Sequence, residues 1–154
     1  MHQHLHYMTL DQKQLVQKTW EKVLPISGSA ATLFYGRLFE LDPSTRPLFK
    51  QTNMPEQRKK LMHVIGMVVN GLNRLDQLIP AVSNLGRRHT AYGVTDEHYS
   101  SVGRALIWTL EQGLGSDFTP EVKEAWTTVY DVLANTMKNA TALAEASGCA
   151  SMTC

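Results

Sequence analysis

Apolar side chains recur every three or four residues over most of the 154-residue chain, and the two-residue alternation of strands is nearly absent. Thr9 followed by Gln12 has the form of a capping box, and the helix it opens carries Leu10, Val16, Trp20 and Val23 before Pro25 stops it. A second helix is predicted from about Ser27 to Leu41 on a stripe of Leu33, Phe34, Leu38 and Phe39. Asp42-Pro43 begins a short third one, because proline is tolerated in a first turn. The next helix starts near Met54-Pro55 and runs through Leu61, Val64, Ile65, Val68 and Leu72. Pro80 is expected to break the chain ahead of a shorter helix that stops at Tyr92-Gly93. Thr95 caps a helix passing through Val102, Leu106 and Leu110 to Gly113. Thr119-Pro120-Glu121 combines a cap, a first-turn proline and a first-turn acid. It opens the last helix, with Val122, Trp126, Val129, Leu133 and Met137 on the inner face. Beyond Asn139 the residues are small and polar, and the helix is expected to fray. The pattern therefore predicts an all-α fold of six or seven helices. The folded domain is expected over 9–140, between a flexible His-rich extension (1–8) and a mobile tail (141–154).

Composition narrows the class. Hydrophobic residues make up 43% and charged residues 19%, which suits a folded domain and not a disordered chain. Fifteen Lys and Arg against fourteen Asp and Glu leave +1, too little for an overall attraction to nucleic acid or an anionic membrane. The longest strongly apolar stretch, around Val64 to Val69, is far too short to span a bilayer. The start shows no basic segment, apolar core and cleavage site of a secretion signal. Cys149 and Cys154 both fall in the last six residues, where they cannot staple a core; a reducing compartment, the cytoplasm, is expected. His2, His4 and His6 form a tip that can bind metal, though such tips more often do so only adventitiously.

Particular residues carry the reading further. Phe34-Tyr35, Leu38-Phe39, Pro43 and Arg46-Pro47-Leu48-Phe49 resemble the second and third helices of bacterial globins. Gly86-Arg87-Arg88-His89-Thr90-Ala91-Tyr92-Gly93-Val94, followed by His98-Tyr99-Ser100-Ser101-Val102-Gly103, resembles the proximal side of single-domain bacterial globins and of the globin domain of flavohaemoglobins. The likeness extends over roughly residues 9 to 138. It implies the globin fold, with six to seven helices sandwiching one haem b.

The same resemblance assigns roles. Haem iron needs a strong axial donor, and His89 is the proximal candidate. Leu85, Val94 and Tyr99 would line the haem face beside it, and an acceptor for its second ring nitrogen should fix the tautomer. On the distal side, family spacing selects Gln57, 32 positions before His89, with Leu61 on the same helix face. His63 competes for that place, but it lies six residues past Gln57, which turns it about 120° away. Tyr35 would direct its hydroxyl over the iron. Phe49 would pack against the haem; it falls six residues after the proline that opens the third helix. Arg58, Lys60, Arg87 and Arg88 surround the inferred haem edge, and Arg88 is the one chosen to pair with a propionate.

Two departures bear on function. Flavohaemoglobin-type globins place a glutamate on the last helix against the proximal tyrosine and histidine. Aligned through Trp126, Thr141 takes that place here, so peroxidase-like activation is not expected. The chain also leaves no room for flavin or nicotinamide domains, so turnover would need electrons from a separate reductase. The leading expectation is reversible binding of dioxygen, with carbon monoxide and nitric oxide as further gaseous ligands. Nitric oxide dioxygenation is second and gas sensing third, and neither nucleic acid nor membrane is expected as a partner.

Overall fold

A computed structural model describes residues 8–146, with side chains placed through Asn139; the His2, His4 and His6 tip and Cys149 and Cys154 lie outside the described residues. Six α-helices and short 3₁₀ turns make up the described chain, with no strand among the described residues. The all-α fold of six or seven helices expected from periodicity is the fold observed.

Helix α1 (Leu10–Val23) opens as predicted: Thr9 Oγ accepts from Gln12 N, and the Gln12 side chain accepts from Thr9 N, each at 3.0 Å. A 3₁₀ turn through Pro25 leads into α2 (Ser27–Leu41). The Asp42-Pro43 signal yields a 3₁₀ segment, Pro43–Phe49, whose first turn is held by Asp42 accepting from Ser44 N at 3.1 Å. Asn53 caps α3 (Met54–Asn70) by accepting from Glu56 N at 3.1 Å. Thr95 caps α5 (Asp96–Leu114), and Thr119 accepts from Val122 N at the start of α6 (Pro120–Ala146).

One expectation needs correction. Pro80 does not break the chain: α4 runs unbroken over Leu75–Ala91 with Pro80 inside it. The carbonyl that loses its partner is that of Asp76 in the first turn. Asp76 and Pro80 are both exposed, so the freed group lies where solvent can reach it. The last helix, α6, runs to Ala146, through the stretch beyond Asn139 where fraying is expected. Ala140, Ala142, Ala144 and Ala146 recur through that stretch, and alanine is the strongest helix former.

Packing follows from which faces are apolar. α4 lies along α6, α2 along α5, and α1 against α6, while α3 rests on α1 and α2. The largest core cluster joins Val16, Trp20 and Val23 of α1 to Val68 and Val69 of α3 and Trp126 of α6. Trp20 and Trp126 stack at an angle, 6.2 Å between centroids, and the buried Trp126 Nε1–H donates to Thr19 Oγ at 2.9 Å. α4 comes close to α6 at Gly86, where an added Cβ would lie 2.6 Å from Met137 Cα. An apolar cavity of about 360 Å³ lies between α3, α4 and α6 beside Met8, lined by residues including Val68, Leu72, Val82, Val129 and Leu133. Neither His89, Tyr35 nor Gln57 lines it. No helix among the described residues is long and apolar enough to cross a membrane.

Candidate functional site

Two smaller apolar clusters flank α5. The first gathers Phe34, Tyr35 and Leu38 of α2 with Ala105 of α5, and Phe39, Phe49, Leu61 and Val102 pack against them. Tyr35 sits at its centre. Its ring meets Phe34 edge-on at 4.9 Å, Phe49 edge-on at 5.4 Å and Phe39 at 6.2 Å. From α3, Gln57 Nε2 donates to Tyr35 Oη at 3.1 Å. Sequence alone offered Tyr35 and Gln57 as two separate donors 22 residues apart; the fold arranges them in series. The Tyr35 oxygen accepts from Gln57, and among the described residues its own proton has no acceptor. Burial raises the Tyr35 pKa, partly offset by the Gln57 hydrogen bond and by the charge of Arg58. The phenol therefore stays protonated at neutral pH and remains a donor.

His63, turned about 120° from Gln57 around α3, is exposed. Phe49 reaches Tyr35 and also Phe39, 5.7 Å away, and Arg46 covers the other side of the Phe39 ring at 4.7 Å. Leu61 joins the same cluster from α3.

The second cluster combines Val82 of α4, Tyr99 of α5, and Ala134 and Met137 of α6, with Leu85 and Val94 packed against it. His89 is in the last turn of α4 beside these residues. Its Nδ1 donates to the Leu85 carbonyl at 2.8 Å, so the proton belongs on Nδ1 and Nε2 keeps its lone pair. Burial lowers the His89 pKa; the Leu85 carbonyl opposes that and the charge of Arg88 adds to it. The ring is neutral near pH 7. Arg88 itself is exposed. Tyr99 Oη is buried with no partner among the described residues, and burial raises its pKa. The Tyr99 carbonyl accepts from Tyr130 Oη at 2.6 Å, and Lys138 Nζ lies 5.5 Å from the centre of the Tyr99 ring. Thr141 falls within α6, but its side chain lies outside the described residues.

The acceptor for His89 was not assigned from sequence. A carbonyl four residues back is the group that any histidine in a last helical turn can reach, so that signal was present. A second feature had no such signal. Asp42 accepts from Ser44 Oγ at 2.5 Å and from Ser101 Oγ at 2.8 Å, and Ser44 Oγ lies 3.1 Å from His98 Nε2. His98 Nδ1 accepts from Thr95 N at 3.0 Å, so the proton on Nε2 faces Ser44. This chain of bonds pins the 3₁₀ segment after α2 to the first turn of α5.

The donor set fits a haem. A neutral imidazole with a bare Nε2 and an anchored Nδ1 is the ligating form of histidine. An all-helical domain that presents such a histidine fits one class, the haem-based gas-binding proteins. Residues 32–137 match the family model Globin, and the chain belongs to the globin family. It is 32% identical over 130 residues to the flavohemoprotein of Bacillus subtilis (strain 168), covering 82% of this chain and 33% of that protein. It is 32% identical over 138 residues to the neuroglobin of Danio rerio and 30% identical over 138 residues to that of Chaenocephalus aceratus, each time covering 81% of this chain and 87% of the relative. The chain thus spans about a third of the flavohemoprotein's length and most of each neuroglobin's.

Proposed function

We propose that this globin binds dioxygen reversibly on haem b held by His89, with Tyr35 donating to the gas and Gln57 orienting Tyr35. The observation that carries the reading is the Gln57-to-Tyr35 hydrogen bond, 3.1 Å long and set among aromatic rings, which leaves the Tyr35 proton unused. Haem, when bound, supplies the iron that takes up a diatomic gas. The chain's own groups set affinity and selectivity. His89 offers Nε2 as the proximal donor, held in orientation by the Leu85 carbonyl. Leu85, Val94 and Tyr99 form an apolar floor on the proximal side, and Phe49 and Leu61 shield the distal side from water. A buried donor with no internal acceptor favours a ligand that carries partial negative charge, so dioxygen gains more from Tyr35 than carbon monoxide does. Arg88 is exposed at the end of α4, where it suits a propionate.

A second reading is nitric oxide dioxygenation, in which nitric oxide, dioxygen and one electron give nitrate. The likeness to a flavohemoprotein, a protein named for a flavin and a haem, supports it. The same Tyr35–Gln57 pair would serve both roles. Measuring the dioxygen release rate beside nitric oxide consumption with a supplied reductant separates them. Slow release with slow, stoichiometric consumption supports storage or delivery. Sustained catalytic consumption overturns storage in favour of the dioxygenase. Release as fast from wild type as from Tyr35→Phe removes Tyr35 from either account.

A further inference from the structure

We infer that the face formed by the 3₁₀ segment after α2, the first half of α3 and the end of α4 docks an acidic one-electron carrier protein. This rests on the haem reading above. The near-neutral total hides a strong separation of charge. Over residues 43–93 the chain has eight Lys and Arg against two Asp and Glu, a net +6; the rest carries seven against twelve, a net −5. The positive segment is the one that bears Gln57 and His89.

The fold concentrates this charge. Gly93, just past α4, sits against Leu48 of the 3₁₀ segment, with a Cβ there 3.8 Å from Leu48 Cδ2. The Gln57–Tyr35 bond ties the start of α3 to α2, and Phe49 packs on Tyr35. Three short stretches thus converge: Arg46 and Lys50, then Lys59 and Lys60, then Arg87 and Arg88, all of them exposed. Glu56 is the single carboxylate among them, 3.7 Å from Lys59. Asp42, Asp96 and Glu97 bound the patch on the α5 side. An exposed aromatic, Tyr92, is 67% accessible beside the last two arginines, and its ring centroid lies 6.4 Å from that of His89. Tyrosine and arginine are the residues on which protein interfaces most often anchor.

Charge complementarity selects the partner. A net −5 elsewhere disfavours wrapping by a long polyanion, whereas a compact acidic protein would be steered by this basic segment before contact. The reaction this serves is one-electron reduction. An electron leaves a reduced iron–sulfur or flavin carrier, ferric haem iron becomes ferrous, and no bond forms or breaks.

The test uses haem-loaded protein and an acidic [2Fe–2S] ferredoxin as the probe. Association with the oxidised probe is followed by calorimetry, and electron transfer from the reduced probe by stopped flow, both across ionic strength. Charge reversal at Lys50→Glu, Lys59→Glu, Lys60→Glu and Arg87→Glu should weaken association and slow reduction on the order of ten-fold or more at low salt. The difference should vanish near 0.5 M salt, where the screening length falls to about 4 Å. Glu121→Lys with Glu124→Lys, on α6, should change association less than about two-fold. The haem spectrum and reduction by dithionite should match wild type in both variants. A wild type without a haem spectrum would sink the haem reading itself. A normal spectrum with ferredoxin association indifferent to salt and to the four reversals would overturn the docking face alone. Equal or tighter binding of anionic phospholipid vesicles or duplex DNA, lost on the same reversals, would overturn the choice of partner.

Discussion

Tyr35→Phe isolates one hydroxyl. The residue is 5% exposed, and its ring contacts with Phe34, Phe39 and Phe49 are all made by carbon atoms that phenylalanine keeps. What disappears is the hydroxyl that offers its proton to the gas and accepts from Gln57. A hydrogen bond to a partly charged acceptor contributes roughly 1.5–3 kcal/mol, and each 1.4 kcal/mol is about a factor of ten, so dioxygen release should accelerate on the order of 10- to 100-fold. Gln57 acts one bond further back. If its donation to Tyr35 strengthens the next bond by ~10–30%, Gln57→Leu costs about 0.2–0.9 kcal/mol, or roughly 1.3- to 5-fold in release. The double variant should then resemble Tyr35→Phe, because Gln57 has nothing left to polarise. Carbon monoxide, a weaker acceptor, should change far less throughout. Stopped-flow release of both gases from wild type, the two single variants and the double variant reads each quantity. A Gln57→Leu effect that persists undiminished on the Tyr35→Phe background would refute the series arrangement, and equal acceleration of both gases would show that Tyr35 is a steric gate.

Three further outcomes follow from other parts of the molecule. With His63 exposed and Gln57 a poor ligand, the deoxy ferrous spectrum should be five-coordinate and unchanged by His63→Leu; a low-spin bis-histidine spectrum lost in that variant would contradict the site's register. Gly86→Ala places a methyl against the Met137 backbone, so it should destabilise by about 2–3 kcal/mol and lower the melting temperature by roughly 5–10 °C, checked by calorimetry. Hydrogen bonds from Ser44 and Ser101 hold the Asp42 carboxyl below its usual range of ~3.9. A depressed carboxyl stabilises the fold above its ordinary pKa, and that contribution is lost as pH falls through its lower folded value. Urea midpoints of Asp42→Asn should therefore lie below wild type near neutral pH and converge with it in strong acid; a constant gap would remove Asp42 from the acid response.

Much of this architecture was legible in local sequence because the signals are themselves local. Thr9 with Gln12, Thr95, and Thr119-Pro120 announce helix starts through contacts three residues long, and the structure places helices there. Pro80 misled for the same reason. Its local rule is sound, but the carbonyl it orphans lies in an exposed first turn, where solvent can reach it. The alanines after Asn139 carry the helix propensity that lets α6 run to Ala146. Site geometry was legible only where a family spacing stood in for tertiary contact. Tyr35 and Gln57 could be named as a pair, but donation from one to the other depends on how α2 crosses α3. The Asp42–Ser44–His98 bonds bridge 54 residues between Ser44 and His98, and no periodicity encodes such a distance.

The central claim is that His89 holds a haem through Nε2. It is tested most directly by titrating haem into wild type and His89→Ala and recording the visible absorption spectrum with and without added imidazole. The account predicts one haem per wild-type chain, weak or absent retention in His89→Ala, and recovery of a histidine-ligated spectrum when imidazole fills the space the ring leaves. A His89→Ala protein with full haem occupancy and an unaltered spectrum in the absence of imidazole would contradict it.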